Sequence, residues 1–146
     1  MEIDLRQRYQ TMLTLWFALL MSVVMYFVVS VVTTTQPVNP SDRQSNTLIL
    51  GVFVLGALFV AGSLAVKKKF LDRSVANQDV GLVQRGMIIA CALCEVCALL
   101  GLLGHFLAGN REYYFLFLLS AGGMALHFPR RSQLEAATYK AKNVWN

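Results

Sequence analysis

Charged side chains are missing from residues 9–41, 44–66, 86–94, 96–110 and 113–129, and they crowd into the segments between. An apolar block of about 18 or more residues is long enough to cross roughly 30 Å of hydrocarbon as a helix. The pattern predicts four transmembrane helices over 11–33, 47–66, 82–108 and 113–128, the last of them short. The expected fold is an all-α integral membrane protein, an antiparallel up-down bundle forming a single membrane domain over 1–146. The connection 34–46, "TTQPVNPSDRQSN", carries Pro37, Pro40, Asp42 and Ser45, which are turn and breaker residues. Asn46 or Thr47 is placed to cap the second helix.

The first apolar run, 12–32, exceeds the 7–15 residues of a signal-peptide core and lacks a small-x-small cleavage site, so it reads as a retained helix. Composition points the same way. The 146 residues are 56% hydrophobic and 14% charged, against about 45–50% and about 25% in soluble domains.

Charge then gives direction. Eleven of the 13 Lys and Arg residues lie in three segments: Arg6 and Arg8; Lys67, Lys68, Lys69, Arg73 and Arg85; Arg130, Arg131, Lys140 and Lys142. Only Arg43 and Arg111 fall in the other two connections. Positive residues are retained on the cytoplasmic side, so both termini and the loop "KKKFLDRSVANQD" are expected inside, at the inner membrane. The net charge of +5 follows topology and calls for no nucleic-acid partner. Lys67, Lys68 and Lys69 read first as an orientation signal, and secondarily as an attraction for anionic lipid of about 1 kcal/mol per charge. Tyr113 and Tyr114 suit the outer aromatic belt. In the tail, Leu134, Ala137, Ala141 and Val144 oppose Arg131, Glu135, Thr138 and Lys142. That spacing fits a short amphipathic helix on the inner leaflet anchored by Trp145, or equally an unstructured tail.

Lipid offers helices no hydrophobic reason to associate, so contact depends on small residues. Ala57, Ala61 and Ala65 recur every four residues on helix two, and Gly86, Ala90, Cys94 and Ala98 do so on helix three. These stripes predict a tight hairpin of helices two and three as the core. Helix one, with Trp16, Phe17, Met21, Met25, Tyr26 and Phe27, is expected to be peripheral.

One residue breaks the apolar pattern. In "CALCEVCALLGLLGHFLAGN" (91–110), Glu95 lies about 14 Å beyond Gly86 along the helix, near the expected bilayer middle. A carboxylate facing lipid there would cost several kcal/mol. The acid therefore stays protonated, because burial disfavours the charge, or it faces a partner or a water-filled pocket. A carboxyl that can do both carries a proton or small cation; one that stays protonated only ties helices together. The residues leave both open.

Helix three, "VQRGMIIACALCEVCALLGLLGHFL" (83–107), resembles the carboxylate-bearing helix of the proteolipid (c or K) subunits of rotary ATP synthases and ATPases. Met87-Ile88-Ile89-Ala90, Ala92-Leu93, Glu95 and Gly101-Leu102 keep a comparable order. The resemblance covers 47–108 and implies that Glu95 is the ion-carrying carboxylate. Helix two has only Gly51, Gly56 and Gly62 where proteolipids have a dense glycine repeat, and the hairpin loop lacks their proline. A diverged relative that assembles with other membrane subunits, or with itself, is the implied alternative to ring membership. A structural or accessory protein without transport is the competing class.

Cys91, Cys94 and Cys97 read C-x-x-C-x-x-C. On a helix each step turns about 300°, so the thiols fan across one face rather than converging on a metal, and packing is the expected role. His105, about 15 Å beyond Glu95 along the axis, is a candidate relay to the outer phase or an interfacial helix-end residue. Cys91, one turn before Glu95, is a lesser candidate beside it. His127 is expected at headgroup level, and Arg111 and Glu112 in a solvated turn. No hydrolytic constellation, phosphate-cradling glycine loop or H-E-x-x-H motif is present, so nothing points to an enzyme, a cofactor or a metal.

Overall fold

The computed structural model describes residues 2–33, 43–108 and 113–138. Among them five helices follow in order: α1 Glu2–Val32, α2 Arg43–Asn77, α3 Val80–Ala108, α4 Tyr114–Leu126 and α5 Arg131–Thr138. At 1.5 Å per residue α1, α2 and α3 are about 46, 52 and 44 Å long, and α4 only about 20 Å. The first three are long and apolar enough to cross a membrane, and α4 is a shorter apolar helix.

Contacts fix the run of the chain. Phe70 packs on Gly86, Ser63 meets Cys94 and Gly56 meets Cys97, so α2 and α3 are antiparallel. Thr33 at the end of α1 meets His105 near the end of α3, so those two are parallel. Phe27 packs on Tyr114 while Trp16 donates to the Met124 carbonyl at 2.9 Å, which makes α4 antiparallel to α1. The result is an up-down bundle with α3 touching every other helix.

Two core clusters stack along the axis. Val23, Val60, Cys94, Cys97, Ala98, Leu116, Phe117 and Met124 fill one. Met12, Val83, Met87, Cys91, Leu134 and Ala137 fill the other, at the end holding the start of α1, the α2–α3 turn and α5.

Several expectations need correction. The charged "KKKFLDRSVANQD" segment is not a loop. No glycine or proline interrupts 67–77, so α2 runs on to Asn77 with Phe70, Leu71 and Ser74 turned inward. A two-residue turn, Gln78–Asp79, joins it to α3. Gln78 takes the left-handed conformation at φ 54°, and the Asp79 amide bonds back to the Ser74 carbonyl at 3.2 Å. That six-residue return is a Schellman helix end. Asp79 Oδ1 then accepts the Gly81 amide at 2.8 Å and starts α3. Helix α2 begins at Arg43 rather than after a cap at Asn46 or Thr47, and α1 begins at Glu2, nine residues before the apolar block.

The contact face of α2 also differs from the alanine stripe. Ala57, Ala61 and Ala65 are exposed, and Gly56, Val60 and Ser63 face inward. One residue is 100° of helix turn, so the seam runs one position earlier at Gly56 and Val60 and two earlier at Ser63, where a glycine admits Leu116 and a serine supplies a hydrogen bond. On α3 the expected stripe of Gly86, Ala90, Cys94 and Ala98 is buried. A Cβ built on Gly86 would lie 2.5 Å from Phe70 Cβ, and one on Gly123 2.8 Å from Cys94 Sγ. These two glycines let α2 and α4 approach α3. The tail helix α5 buries Leu134 and Ala137 in the bundle rather than in lipid, and Arg131 sits 5.1 Å over the Tyr9 ring. Ala141, Val144, Trp145, Pro37, Pro40, Arg111 and Glu112 lie outside the described residues.

Candidate functional site

Glu95 turns toward α1, not toward α2. Its Oε1 is 2.6 Å from Ser22 Oγ and accepts the Tyr26 hydroxyl at 3.0 Å. Ser22 and Tyr26 are four residues apart, hence on one face of α1. The helix expected to be peripheral therefore supplies both partners, and the hairpin of α2 and α3 supplies neither. Both partners are neutral hydroxyls. Among the described residues no cation is hydrogen-bonded or ion-paired to this acid.

Ser22 Oγ is also 2.7 Å from the Leu19 carbonyl. A hydroxyl has one hydrogen and two lone pairs, so it serves one acceptor at a time. With that hydrogen on Glu95, the group is a carboxylate accepting two hydroxyls. With it on Leu19, the Ser22 oxygen accepts from a protonated Glu95. The same heavy-atom positions thus suit both protonation states.

His105 is buried at 4% exposure. Its Nε2 lies 3.1 Å from Thr33 Oγ1 and 3.0 Å from the Thr33 carbonyl. The Thr33 hydroxyl itself donates to Val29 O at 2.6 Å, so Nε2 carries the proton and Nδ1 is left buried without a partner. The ring packs against Tyr113 at 4.8 Å. His105 therefore ties the end of α3 to the end of α1, and the structure does not bring it to Glu95. Cys91, one turn before Glu95, packs among Met12, Met87 and Leu134 and is close enough to Glu95 for the two to interact electrostatically.

A second polar cluster lies on the face of α3 turned to α2 and α4. Ser63 Oγ donates to Val60 O at 2.6 Å and accepts from Cys94 Sγ at 3.5 Å, with His127 Nε2 at 2.8 Å. Ser120 Oγ donates to the Cys94 carbonyl at 2.6 Å, and Cys97 Sγ reaches the Leu116 carbonyl at 3.6 Å. His127 is fully buried, its ring held between α2 and α4 by Ser63. All three cysteines are free and buried, and among the described residues no group of His, Cys, Asp and Glu is placed to hold a metal.

Sequence reasoning missed Ser22, Tyr26, Ser63 and Ser120. A signal existed for the first pair: a Ser and a Tyr four apart inside an apolar helix share one face, and polar groups in such helices need partners. No family model, curated protein or solved structure matches the chain.

Proposed function

We propose that the chain is a small inner-membrane protein, cytoplasmic at both ends, whose Glu95 takes up and releases a proton or small cation near the bilayer middle. In this reading it serves as a proteolipid-like subunit, embedded in lipid and assembling with other membrane subunits or with itself. The observation that carries it is the pair of hydroxyls on Glu95 Oε1. They serve a carboxylate and a carboxylic acid alike, and among the described residues no cation is paired with the charged form.

Placement of the ends rests on charge. Tyr9 and Arg131 meet at the end that also holds the α2–α3 turn, and nine of the described basic residues belong to the segments gathered there. Helix α4 is the fourth span in this reading. At about 20 Å it is short for roughly 30 Å of hydrocarbon, so Tyr113, the His127–Pro129 segment and local thinning of the bilayer complete the crossing.

The second reading is favoured by the same hydroxyls seen differently: they bind α1 onto α3, and a permanently protonated Glu95 would do that without transport. Proton flux into vesicles carrying the purified protein or its native assembly separates the two. The proposal expects Glu95→Gln to abolish flux while leaving folding and assembly unchanged. Equal flux, or none, from both proteins leaves only the structural role.

A further inference from the structure

The helix α4 stops short at the level of Lys67, and what surrounds its end is a cationic step above an apolar wall. Lys67 is half-buried, with Nζ 3.5 Å from the Leu126 carbonyl. Arg130, exposed four residues further on, is close enough to Lys67 for the like charges to repel. Neither is hydrogen-bonded or ion-paired to a carboxylate among the described residues. Beneath them the fully buried His127 leaves Nδ1 without a partner. Leu64, Leu126 and Phe128 are exposed beside the pair, at 44%, 66% and 43%.

We propose that this end of α4 is a binding site for an anionic phospholipid, its phosphate between Lys67 and Arg130 and its acyl chains along Leu64, Leu126 and Phe128. Two unpaired cations held near one another gain from an anion that bridges them, and the flanking side chains suit hydrocarbon rather than water. At the edge of a bilayer the molecule offering both is a charged lipid. The site rests on the membrane placement proposed above, not on any role of Glu95.

The test is a titration of phosphatidylglycerol into the full-length protein in a zwitterionic micelle, read by melting temperature and by bound lipid in native mass spectrometry. The expected result is a saturable rise in melting temperature and one preferentially retained lipid, with no response to phosphatidylcholine. Lys67→Gln or Arg130→Gln should weaken the apparent affinity about fivefold each. The paired Lys68→Gln and Lys69→Gln change, which removes more charge from exposed positions, should leave it intact. Equal weakening by that control would show diffuse attraction and overturn the site, as would an equal response to inorganic phosphate alone. If Lys67→Gln fails to fold, the exposed Arg130→Gln still decides. Failure of the protein to enter lipid at all would instead sink the membrane placement.

Discussion

The Tyr26 hydroxyl donates to Glu95 Oε1 at 3.0 Å across 69 positions of sequence, joining the first helix to the one acid inside the apolar part of the third. This bond, with Ser22 one turn earlier, makes α1 part of the site rather than a peripheral span.

Removing it should loosen the bundle modestly. Interhelical hydrogen bonds in membrane proteins contribute on average about 0.6 kcal/mol and at most about 1.7. Tyr26→Phe and Ser22→Ala should each lower stability within that range in denaturant titrations in micelles. In the Glu95→Gln background Tyr26→Phe should cost the same as before, because an amide oxygen accepts the same hydroxyl. A cost well above 2 kcal/mol would mean that the bond holds more than one helix pair.

The glycines should divide by what a methyl would strike. Gly86→Ala places a Cβ 2.5 Å from Phe70 Cβ, the root of a side chain that cannot swing aside. The helices must separate, at about 1–3 kcal/mol for overpacking. Gly62→Ala and Gly122→Ala meet nothing within 4 Å. They should be neutral or gain up to about 1 kcal/mol from helix propensity. Thermal melts of the three variants check the order.

Thiol labelling reads the core directly. Cys91, Cys94 and Cys97 are each fully buried, so a maleimide should leave all three unmodified in the folded protein and modify three per chain after denaturation. Rapid labelling of Cys94 in the folded state would contradict its place beneath Ser63 and Gly123. By contrast Val75→Cys, exposed on the charged extension of α2, should react, because a water-facing thiol can ionise.

The cluster around Ser63 should be costly to break. Ser63→Ala leaves Cys94 Sγ and His127 Nε2 without their shared partner in a buried place, and an unsatisfied buried polar group costs about 1–3 kcal/mol. His127→Phe should partly offset the loss in the double variant by removing one orphaned group. Full additivity of the two changes would show that they are not coupled.

The sequence showed its long helices because charge is absent from whole blocks, and the carboxyl because no other Asp, Glu, Lys or Arg lies between 86 and 110. Three things were not legible. The α2 extension through Lys67–Asn77 looks like a loop when charge is taken to end a helix, although only glycine, proline or solvent competition would have ended it. The alanines at 57, 61 and 65 form as regular a stripe as the true seam at 56, 60 and 63, and choosing between them needs the partner helix. The hydroxyls of Ser22 and Tyr26 have no sequence mark that tells them from other polar residues in apolar helices. Which helix Glu95 faces depends on its rotation against α1, which local spacing leaves free.

Carbodiimide modification of the protein in lipid vesicles tests the central claim most directly, since a protonated carboxyl gives its proton to the reagent and its oxygen then bonds to the carbodiimide carbon. The account predicts one adduct, at Glu95, formed by a lipid-soluble carbodiimide but not by a water-soluble one. Its yield should fall as pH rises, and Glu95→Gln should abolish it. Equal reaction with the water-soluble reagent would place Glu95 in bulk solvent. A yield that never changes with pH would leave a fixed proton, and with it no carrier.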